Sequence, residues 1–445
     1  MSHRTNRRRF LQASAATGVG FWVAGGLQAR ESTSPNERIA FASIGVGGKG
    51  SSDSADAGEA GEMVAICDVD EKFLNVAGEK RFPKAKRYTD FRKMLDEMGD
   101  RLDAVTVSTP DHTHAPAALM AMRMGKHCFC QKPLTRTIYE ARLMAQVARE
   151  QNVATQMGNQ FTASSSLRRA AEVIKSGALG TVTDVHVWTD RPVWPQGSDR
   201  AKSVPCPKHL DWNVWLGPAP LRPFANGYHP FAWRGWWDFG SGALGDMACH
   251  TVNLPYMALN LRDPVAVQAE TSGHNGDYYP KWSIINFDFP ELDGRPPVKF
   301  TWCDGGKQPD RELFEGESVN KSGCLVIGEK GKLYAPGDYA GSDDNGEPHL
   351  IGGAEMPEVK WVESPGHFEE WVRAIKGGEP AASNFPDYAG ALTETILLGN
   401  LAVWVAATGK GERVQWDAKN MRSTNVAGLE TIIKPIYRPG YTLDA

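Results

Sequence analysis

The sequence has no excess of positive charge. It contains 49 lysines and arginines against 53 aspartates and glutamates, which gives a formal net charge of −4 at pH 7. Proteins that bind nucleic acid or anionic membranes electrostatically carry clustered positive charge instead. We therefore expect neither of these as a partner.

Cysteines are few, and no spacing between them is typical of a metal site. Their number is odd, which does not fit a framework of disulfides. The seven are Cys67, Cys128, Cys130, Cys206, Cys249, Cys303 and Cys324. With 41% hydrophobic and 23% charged residues in a chain of 445, the composition is that of a globular protein of two or three domains.

Long apolar runs are missing beyond the first thirty residues, so no later membrane span is expected. Residues 6–11 read N-R-R-R-F-L, and an uncharged stretch rich in alanine, glycine and serine follows, to Ala29. This resembles a twin-arginine export signal. We predict that residues 1–29 are removed and that the mature protein is periplasmic or otherwise exported, without membrane contact. A retained anchor is the alternative, which the glycines disfavour.

From residue 38, short apolar runs alternate with helical stretches. The runs are Ile39–Ile44, Met63–Cys67, Ala104–Ser108, Lys126–Cys130 and Val153–Met157. Between the last two, apolar residues at helical spacing predict a crossover helix over residues 137–151. The order is typical of a parallel sheet covered by helices, so residues 38–157 are predicted to form one α/β domain.

The pattern changes after residue 157. Longer strands with turn residues between them are predicted at Thr181–Asp190, Val265–Ser272, Trp282–Phe289, Val298–Cys303 and Leu325–Ala335. Helices are expected over residues 366–376 and 388–407, and a polar loop over residues 337–353. Residues 158–433 are therefore predicted to form a second α/β domain with a large, mostly antiparallel sheet.

A glycine motif directly follows the first predicted strand. Residues 45–50 read G-V-G-G-K-G, and the candidates in it for cofactor binding are Gly45, Gly47, Gly48 and Gly50. Such a turn allows a pyrophosphate to approach bare backbone at a helix N-terminus. Asp68 ends the second strand, where a carboxylate can bind the adenosine ribose. The first domain is thus predicted to be a Rossmann domain, and Asp70 and Glu71 nearby favour NAD over NADP.

Polar residues follow two further strands at the edge where parallel sheets bind ligands. They are Ser108, Thr109, Pro110, His112 and His114 after one strand, and Gln131 and Lys132 after the next. We expect these residues to contact the cofactor. Lys132, held by the following proline, could also polarise a substrate hydroxyl. A metal-binding role for the two histidines is less favoured, because no acidic or cysteine partner has a matching spacing.

Asp246 and His250 are four residues apart, so on a helix they lie on one face. The carboxylate could orient the imidazole, and the imidazole could accept the proton of an alcohol whose carbon loses a hydride. We predict Asp246, His250 and Lys132 as the catalytic residues. A metal pair and a plain surface pair are the alternatives.

The motifs at residues 45–50, 108–114 and 131–133, together with D-x-x-x-H at 246–250, resemble the Gfo/Idh/MocA family of glucose-fructose oxidoreductases and inositol dehydrogenases. The resemblance implies a Rossmann domain, an α/β domain whose open sheet often serves oligomerisation, and hydride transfer with sugars or cyclitols. It also implies that Gln160 reaches cofactor or substrate. Gln131 replaces the usual glutamate of the family, which removes a charge beside Lys132.

Five tryptophans lie close together in the sequence, with Arg234 and His229 among them. They are Trp212, Trp215, Trp233, Trp236 and Trp237. Sugar rings stack on aromatic side chains and arginine can bind hydroxyls, so Arg234 and Trp237 are candidates for substrate binding. Core packing is expected for at least half of the tryptophans.

Together these features predict an NAD(P)-dependent oxidoreductase that acts on a secondary hydroxyl of a sugar, glycoside or cyclitol. Because free nicotinamide cofactor is scarce outside the cytoplasm, a tightly bound cofactor is expected. The first alternative is a redox-neutral glycosidase that oxidises, eliminates and re-reduces. The second is a sugar-binding relative without catalysis.

Overall fold

The computed structural model describes residues 38–341 and 345–443. The predicted export segment, residues 1–29, lies outside the described residues. The first sheet has six parallel strands in the order β3-β2-β1-β4-β5-β6. They are β1 (Ala40–Ile44), β2 (Glu62–Cys67), β3 (Lys86–Tyr88), β4 (Ala104–Val107), β5 (His127–Cys130) and β6 (Thr155–Met157). This order confirms the predicted Rossmann topology and opens a crevice where the order reverses, between β1 and β4.

Helices cover both faces of this sheet. They are α1 (Lys49–Ala60), α2 (Glu71–Lys80), α3 (Phe91–Met98), α4 (Asp111–Arg123) and α5 (Ile138–Glu150). The predicted crossover helix is α5, and it begins where Thr137 and Glu140 form a capping box. Strand β3 was not predicted, because two of its three residues, Lys86 and Arg87, are exposed and give no apolar run.

The second sheet has nine strands in the order β13-β12-β11-β7-β10-β9-β8-β14-β15. They are β7 (Val182–Trp188), β8 (Ala266–Thr271), β9 (Ser283–Phe289), β10 (Val298–Cys303), β11 (Gly323–Gly328), β12 (Gly331–Pro336), β13 (His349–Leu350), β14 (Val414–Asp417) and β15 (Arg422–Ser423). All pairs are antiparallel except β7 with β10, which confirms a mostly antiparallel sheet. The single strand predicted over Leu325–Ala335 is instead a hairpin that turns at residues 329–330.

The remaining helices pack against this sheet or join it to the first. They are α6 (Ser165–Lys175), α7 (Trp212–Leu216), α8 (Gly242–Thr251), α9 (Asn253–Leu259), α10 (His367–Ile375), α11 (Gly390–Val405) and α12 (Glu430–Ile433). The Trp371 side chain of α10 packs against the Rossmann sheet, where its ring contacts the rings of Phe41 and Phe129. The Rossmann sheet is therefore partly covered by a helix from the end of the chain.

The helical stretch Phe385–Val405, which contains α11, is long and apolar enough to cross a membrane, contrary to the expectation from the sequence. In the fold, 72% of its apolar window is buried. Its side chains pack against β8, β9 and α8, and a Cβ at Gly399 would lie 2.9 Å from the Phe287 ring. These contacts are those of a core helix.

Candidate functional site

A cleft of about 710 Å³ lies at the carboxyl ends of the Rossmann strands. One wall consists of the loops that follow β1, β2, β4 and β5. The other wall comes from the second domain, with α8 and the loop after β7 among its elements. The cleft therefore brings the predicted cofactor residues and the predicted catalytic residues together.

The glycine loop forms the end of the cleft nearest β1. Gly45 has φ +81°, and a Cβ there would lie 2.6 Å from the carbonyl oxygen of Ser108. Gly48, with φ +50°, caps α1 without any side-chain hydrogen bond. Together with Gly47, which also lines the cleft, these residues leave room for a diphosphate at the helix N-terminus. Gly50 lies behind the loop, where a Cβ would overlap the Gly45 carbonyl oxygen.

Asp68 lies at the end of β2, as predicted, and its carboxylate shapes the same loop. It accepts hydrogen bonds of 2.9 Å from the backbone N–H groups of Val46 and Asp70. Burial raises the pKa of Asp68, and these two hydrogen bonds oppose the rise. The side chain lines the cleft where a ribose hydroxyl would reach it. The loop and this carboxylate fit a dinucleotide.

Asp53, on α1, is a buried carboxylate that the sequence analysis missed. It accepts hydrogen bonds from Ser108 Oγ at 2.7 Å and from Gln131 Nε2 at 2.9 Å, and it pairs with Lys49. Gln131 is uncharged where the family usually has a glutamate, and the carboxylate of Asp53, on α1, lies beside it. In the sequence, Lys49 and Asp53 have the spacing of an ordinary surface ion pair on a helix, so nothing marked the aspartate as buried.

Lys132 and Asp246 meet across the cleft. Lys132 Nζ donates to Asp246 Oδ1 at 2.9 Å and to the Asp246 carbonyl oxygen at 2.7 Å, and Arg234 Nε donates to the same Oδ1 at 3.1 Å. Burial acts to raise the pKa of Asp246, but the charges of Lys132 and Arg234 outweigh it and lower the pKa to about 2. Asp246 is thus ionised and engaged by two cations. The helical spacing had suggested that the Asp246 carboxylate orients the His250 imidazole. In the structure Asp246 forms no hydrogen bond with His250.

His250 lies one helical turn further along α8 and is only 4% exposed. Its Nδ1 is buried without a hydrogen-bond partner among the described residues. The rings of Phe161 and Tyr339 approach it edge-on, with centroids at 5.9 Å and 5.2 Å. Burial, followed by the charge of Lys132, lowers the pKa of His250 well below its usual value. The imidazole is therefore neutral at pH 7 and able to accept a proton.

Asp111, at the start of α4, is a third carboxylate on the cleft, after Asp68 and Asp246. Its Oδ2 accepts a 2.6 Å hydrogen bond from Ser241 Oγ. Burial raises the pKa of Asp111 to about 7, although the Ser241 hydrogen bond opposes the rise. The sequence motif contained this residue, but nothing in its spacing indicated a carboxyl group that titrates near neutral pH.

Besides Gly50, three predicted site residues do not reach the cleft. The ring nitrogens of His112 contact the carbonyl oxygens of Phe239 and Trp215 at 3.1 Å and 2.9 Å. Those of His114 contact the carbonyl oxygens of Pro133 and Thr109 at 2.9 Å and 2.8 Å. Both histidines lie in the first turn of α4, which buries them. His114 supports the loops after β4 and β5, whereas His112 joins α4 to the backbone of the second domain, and neither reaches the cleft.

Trp237, the third of these residues, belongs to the core. Its Nε1 donates to the Tyr278 carbonyl oxygen at 3.1 Å, and its ring stacks on Tyr279 with centroids 3.8 Å apart. Of the five clustered tryptophans, Trp215 and Trp233 line the cleft. The other predicted residues on the cleft are Ser108, Thr109, Pro110, Gln131, Gln160 and Arg234. Within residues 38–341 and 345–443, no group of three or more histidines, cysteines or acidic residues could hold a metal ion.

A segment from the second domain, residues 207–231, crosses the Rossmann side of the cleft, and we call it the cover segment. Asp70 joins it through His209 Nδ1 at 3.0 Å and His229 Nε2 at 2.9 Å. Two backbone hydrogen bonds support the contact: Glu71 N–H to the His209 carbonyl at 2.9 Å, and Asp211 N–H to the Val69 carbonyl at 3.0 Å. This contact places parts of the cover segment on the cleft.

A Rossmann sheet with a glycine loop, opposed by an antiparallel-sheet domain that carries an ionic cluster, defines a dinucleotide-dependent α/β protein. Residues 39–159 match the family model described as "Oxidoreductase family, NAD-binding Rossmann fold". Residues 164–442 match the model described as "Oxidoreductase family, C-terminal alpha/beta domain". The chain therefore belongs to the Gfo/Idh/MocA oxidoreductase family, and its cofactor is NAD.

Two curated relatives are similar to part of the chain. Levoglucosan dehydrogenase of Pseudarthrobacter phenanthrenivorans is 27% identical over 176 residues, which are 39% of this chain and 37% of that protein. Alpha-N-acetylgalactosaminidase of Shewanella oneidensis is 32% identical over 166 residues, which are 31% of this chain and 36% of that protein. The alignments thus cover little more than a third of either relative.

A solved structure shows the same fold over most of the chain. The WlbA dehydrogenase from Bordetella pertussis, in complex with NADH and UDP-GlcNAcA, has a TM-score of 0.58 at 18% identity. The match covers 85% of this chain and 99% of that chain. At this identity the likeness carries the fold alone.

Proposed function

We propose that the protein transfers a hydride between a secondary hydroxyl carbon of a sugar or glycoside and the nicotinamide of NAD. The observation that carries the proposal is the meeting of Lys132, Asp246 and His250 in one cleft beside the glycine loop. The sugar part rests on the relatives, one of which is named a levoglucosan dehydrogenase. Bound NAD would supply the hydride acceptor.

His250 serves as the base in this proposal. Its neutral imidazole lines the cleft, and its Nδ1 has no hydrogen-bond partner among the described residues. In the tautomer that carries the proton on Nδ1, Nε2 accepts the hydroxyl proton. Lys132 Nζ is held by two oxygens of Asp246 and can point a further N–H at the same substrate oxygen. Its positive charge stabilises negative charge that develops there.

The test is NADH formation by wild type and by His250→Ala with a panel of aldoses and glycosides. We expect the variant to lose turnover by about a hundredfold or more, the scale of positioned acid-base catalysis, while it binds NAD normally. Turnover equal to that of wild type would refute the role of His250. If wild type with bound NAD neither forms NADH nor cleaves any glycoside of the panel, the non-catalytic alternative is favoured.

We also propose that NAD stays bound between turnovers. The cover segment supports this, because Asp70 fastens it to the Rossmann domain on the cofactor side of the cleft. Protein purified without added nucleotide is expected to release NAD(H) on denaturation. The folded Asp70→Asn variant is expected to lose NAD(H) faster than folded wild type. Asp90→Asn is the matched control, since Asp90 caps α3 as Asp70 caps α2. An empty wild-type protein would contradict this proposal.

A redox-neutral reaction is the second candidate. In it, the hydride leaves a ring carbon and returns to it, and a glycosidic bond is cleaved in between. The similarity to an alpha-N-acetylgalactosaminidase and the proposed retention of NAD favour it. Release of aglycone from a chromogenic glycoside without NADH accumulation would identify this reaction, whereas stoichiometric NADH would identify net oxidation.

Export and self-association complete the proposal. The twin-arginine motif supports transport across the membrane, and the cleavage site is tested by N-terminal sequencing of the secreted protein.

The nine-stranded sheet offers a surface for a second copy. Light scattering at micromolar concentration is expected to give a homo-oligomer, and a monomer would contradict that expectation.

A further inference from the structure

Arg191 is a cation on the cleft that has no counter-ion among the described residues. It lies in the loop that follows β7, and its backbone is fixed by hydrogen bonds from Gly305 N–H at 2.7 Å and to Thr189 Oγ1 at 3.4 Å. In the part of the chain that the structure describes, its guanidinium makes no ion pair or hydrogen bond, and its Nε is buried without a partner. A buried donor in this state costs free energy unless a ligand satisfies it.

Among the described residues, Asp338 and Asp190 are close to Arg191 in space or in sequence, but neither pairs with it. Asp338 feels its charge, yet forms no ion pair with it and accepts instead from Thr189 Oγ1 at 3.3 Å. Asp190, the neighbour in sequence, is exposed and forms no ion pair either. Arg191 is close enough to His250 to contribute to the lowered pKa of that imidazole. It therefore stands on the substrate side of the cleft, in the same wall as the proposed base.

Arg234 adds a second guanidinium to this wall. Its Nε donates to Asp246 at 3.1 Å and its Nη1 to the Phe231 carbonyl at 3.1 Å, while its Nη2 has no hydrogen bond among the described residues. Its guanidinium carbon lies 4.2 Å from the Trp233 ring centroid, which fixes the plane of the group. Arg191 and Arg234 line this wall together with one carboxylate, Asp246, which also pairs with Lys132. The charged residues that line the wall therefore carry more positive than negative charge.

We propose that Arg191, with the free edge of Arg234, binds an anionic group on the sugar, a carboxylate or a sulfate ester. This rests on the proposed function, since it concerns the substrate that His250 would deprotonate. Guanidinium groups present paired N–H donors that match the oxygens of such groups. The glycine loop, where a diphosphate would bind, belongs to the opposite wall, so the cofactor leaves Arg191 free for the substrate.

The experiment is calorimetric titration of the NAD-loaded protein with matched pairs of sugars. The pairs are D-glucuronate with D-glucose, D-galacturonate with D-galactose, and N-acetylglucosamine 6-sulfate with N-acetylglucosamine. We expect at least one anionic probe to bind about tenfold to a hundredfold more tightly than its neutral partner, the scale of a hydrogen bond to a charged group. The pair that shows the preference distinguishes carboxylate from sulfate.

Three variants complete the test. Arg191→Gln should remove the preference, Arg191→Lys should keep part of it, and Arg169→Gln, which removes an exposed charge on α6, should leave it unchanged. Equal binding of every pair by wild type would overturn the inference, and so would a preference that survives in Arg191→Gln. The wild-type comparison stands even if an Arg191 variant fails to fold.

NADH formation, measured on the same panel, separates this inference from the proposed function. Turnover of neutral sugars without any preference for anionic ones would refute the inference and keep the proposed function. Binding of an anionic sugar through Arg191 without turnover of any sugar would keep the inference and refute the proposed hydride transfer.

Discussion

Lys132 Nζ lies 2.9 Å from Asp246 Oδ1 and 2.7 Å from the carbonyl oxygen of the same residue. The lysine follows a strand of the Rossmann sheet and the aspartate lies on α8, so this ion pair joins the two domains across the cleft. The side chains are 16% and 15% exposed. Removal of one partner would leave a largely buried charge unpaired, which is costly.

Asp246→Asn tests this pair. We expect the turnover number to fall by about tenfold to a hundredfold, because Lys132 loses the charge that holds it, while the affinity for NAD stays unchanged. Steady-state kinetics and nucleotide titration measure the two quantities. Glu172, a half-buried residue that pairs with Lys175 on α6, is changed to Gln as the control for loss of one negative charge. A variant that loses NAD binding but keeps its turnover number would contradict the assignment.

The pH dependence of turnover reports on His250. Its pKa is lowered well below the usual value of 6.5 by burial and by the Lys132 charge, so the imidazole stays neutral and active as a base at mildly acidic pH. The acidic limb of kcat/KM is therefore expected to have its midpoint below 6.5. A midpoint at or above that value would mean that a different group, or a different state of His250, limits the reaction.

Asp111→Asn is expected to change how stability depends on pH. The pKa of Asp111 rises from 3.8 to about 7 in the folded protein, mainly through burial. Between these values the folded state keeps a proton that the unfolded state has lost, so the contribution of Asp111 to stability declines as pH rises towards 7. The asparagine variant lacks this decline and can still accept from Ser241.

The melting temperature of Asp111→Asn relative to wild type should therefore increase between pH 4 and pH 8. Differential scanning calorimetry across this range measures the difference, in which the titration of all other groups cancels. A constant difference would show that Asp111 titrates normally.

Gly45→Ala tests the glycine loop against a matched position. Gly45 and Gly177 have almost the same φ, +81° and +80°. Of these two, only Gly45 would bring a Cβ against neighbouring atoms, at 2.6 Å from the Ser108 carbonyl oxygen. We expect Gly177→Ala to cost about 1–2 kcal/mol of stability and to bind NAD normally. Gly45→Ala should cost more and lose NAD affinity. Equal behaviour of the two variants would contradict the role of the loop.

The fold was largely predictable because its signals are local. Apolar runs, the glycine motif and the capping residue Thr137 each lie within a few positions of the element they define. The hairpin of β11 and β12 was missed because the prediction joined two apolar runs, which end at Ile327 and resume at Leu333, into one strand. Residues 328–331 read G-E-K-G, and these glycines and charged residues form the turn between the two strands.

The candidate site was predictable where its residues follow strand ends, as Lys132 does, or share one face of a helix, as Asp246 and His250 do. Arg191 lines the cleft, and Asp53 supports it through Ser108 and Gln131, by tertiary contacts over long sequence separations. The prediction that His112 and His114 contact the cofactor was wrong, although both residues follow a strand at the ligand-binding edge. In the structure α4 begins at Asp111, and its first turn directs both imidazoles to backbone carbonyls instead of the cleft.

The central claim, hydride transfer between sugar and nicotinamide with His250 as the base, is tested most directly by isotope transfer. The NAD-loaded protein is mixed with sugars deuterated at their ring carbons, quenched within one turnover, and the nicotinamide is analysed by mass spectrometry. We expect deuterium in the nicotinamide with wild type and none with His250→Ala. This holds for net oxidation and for the redox-neutral reaction alike. NAD that stays free of deuterium while the sugar is converted would contradict hydride transfer.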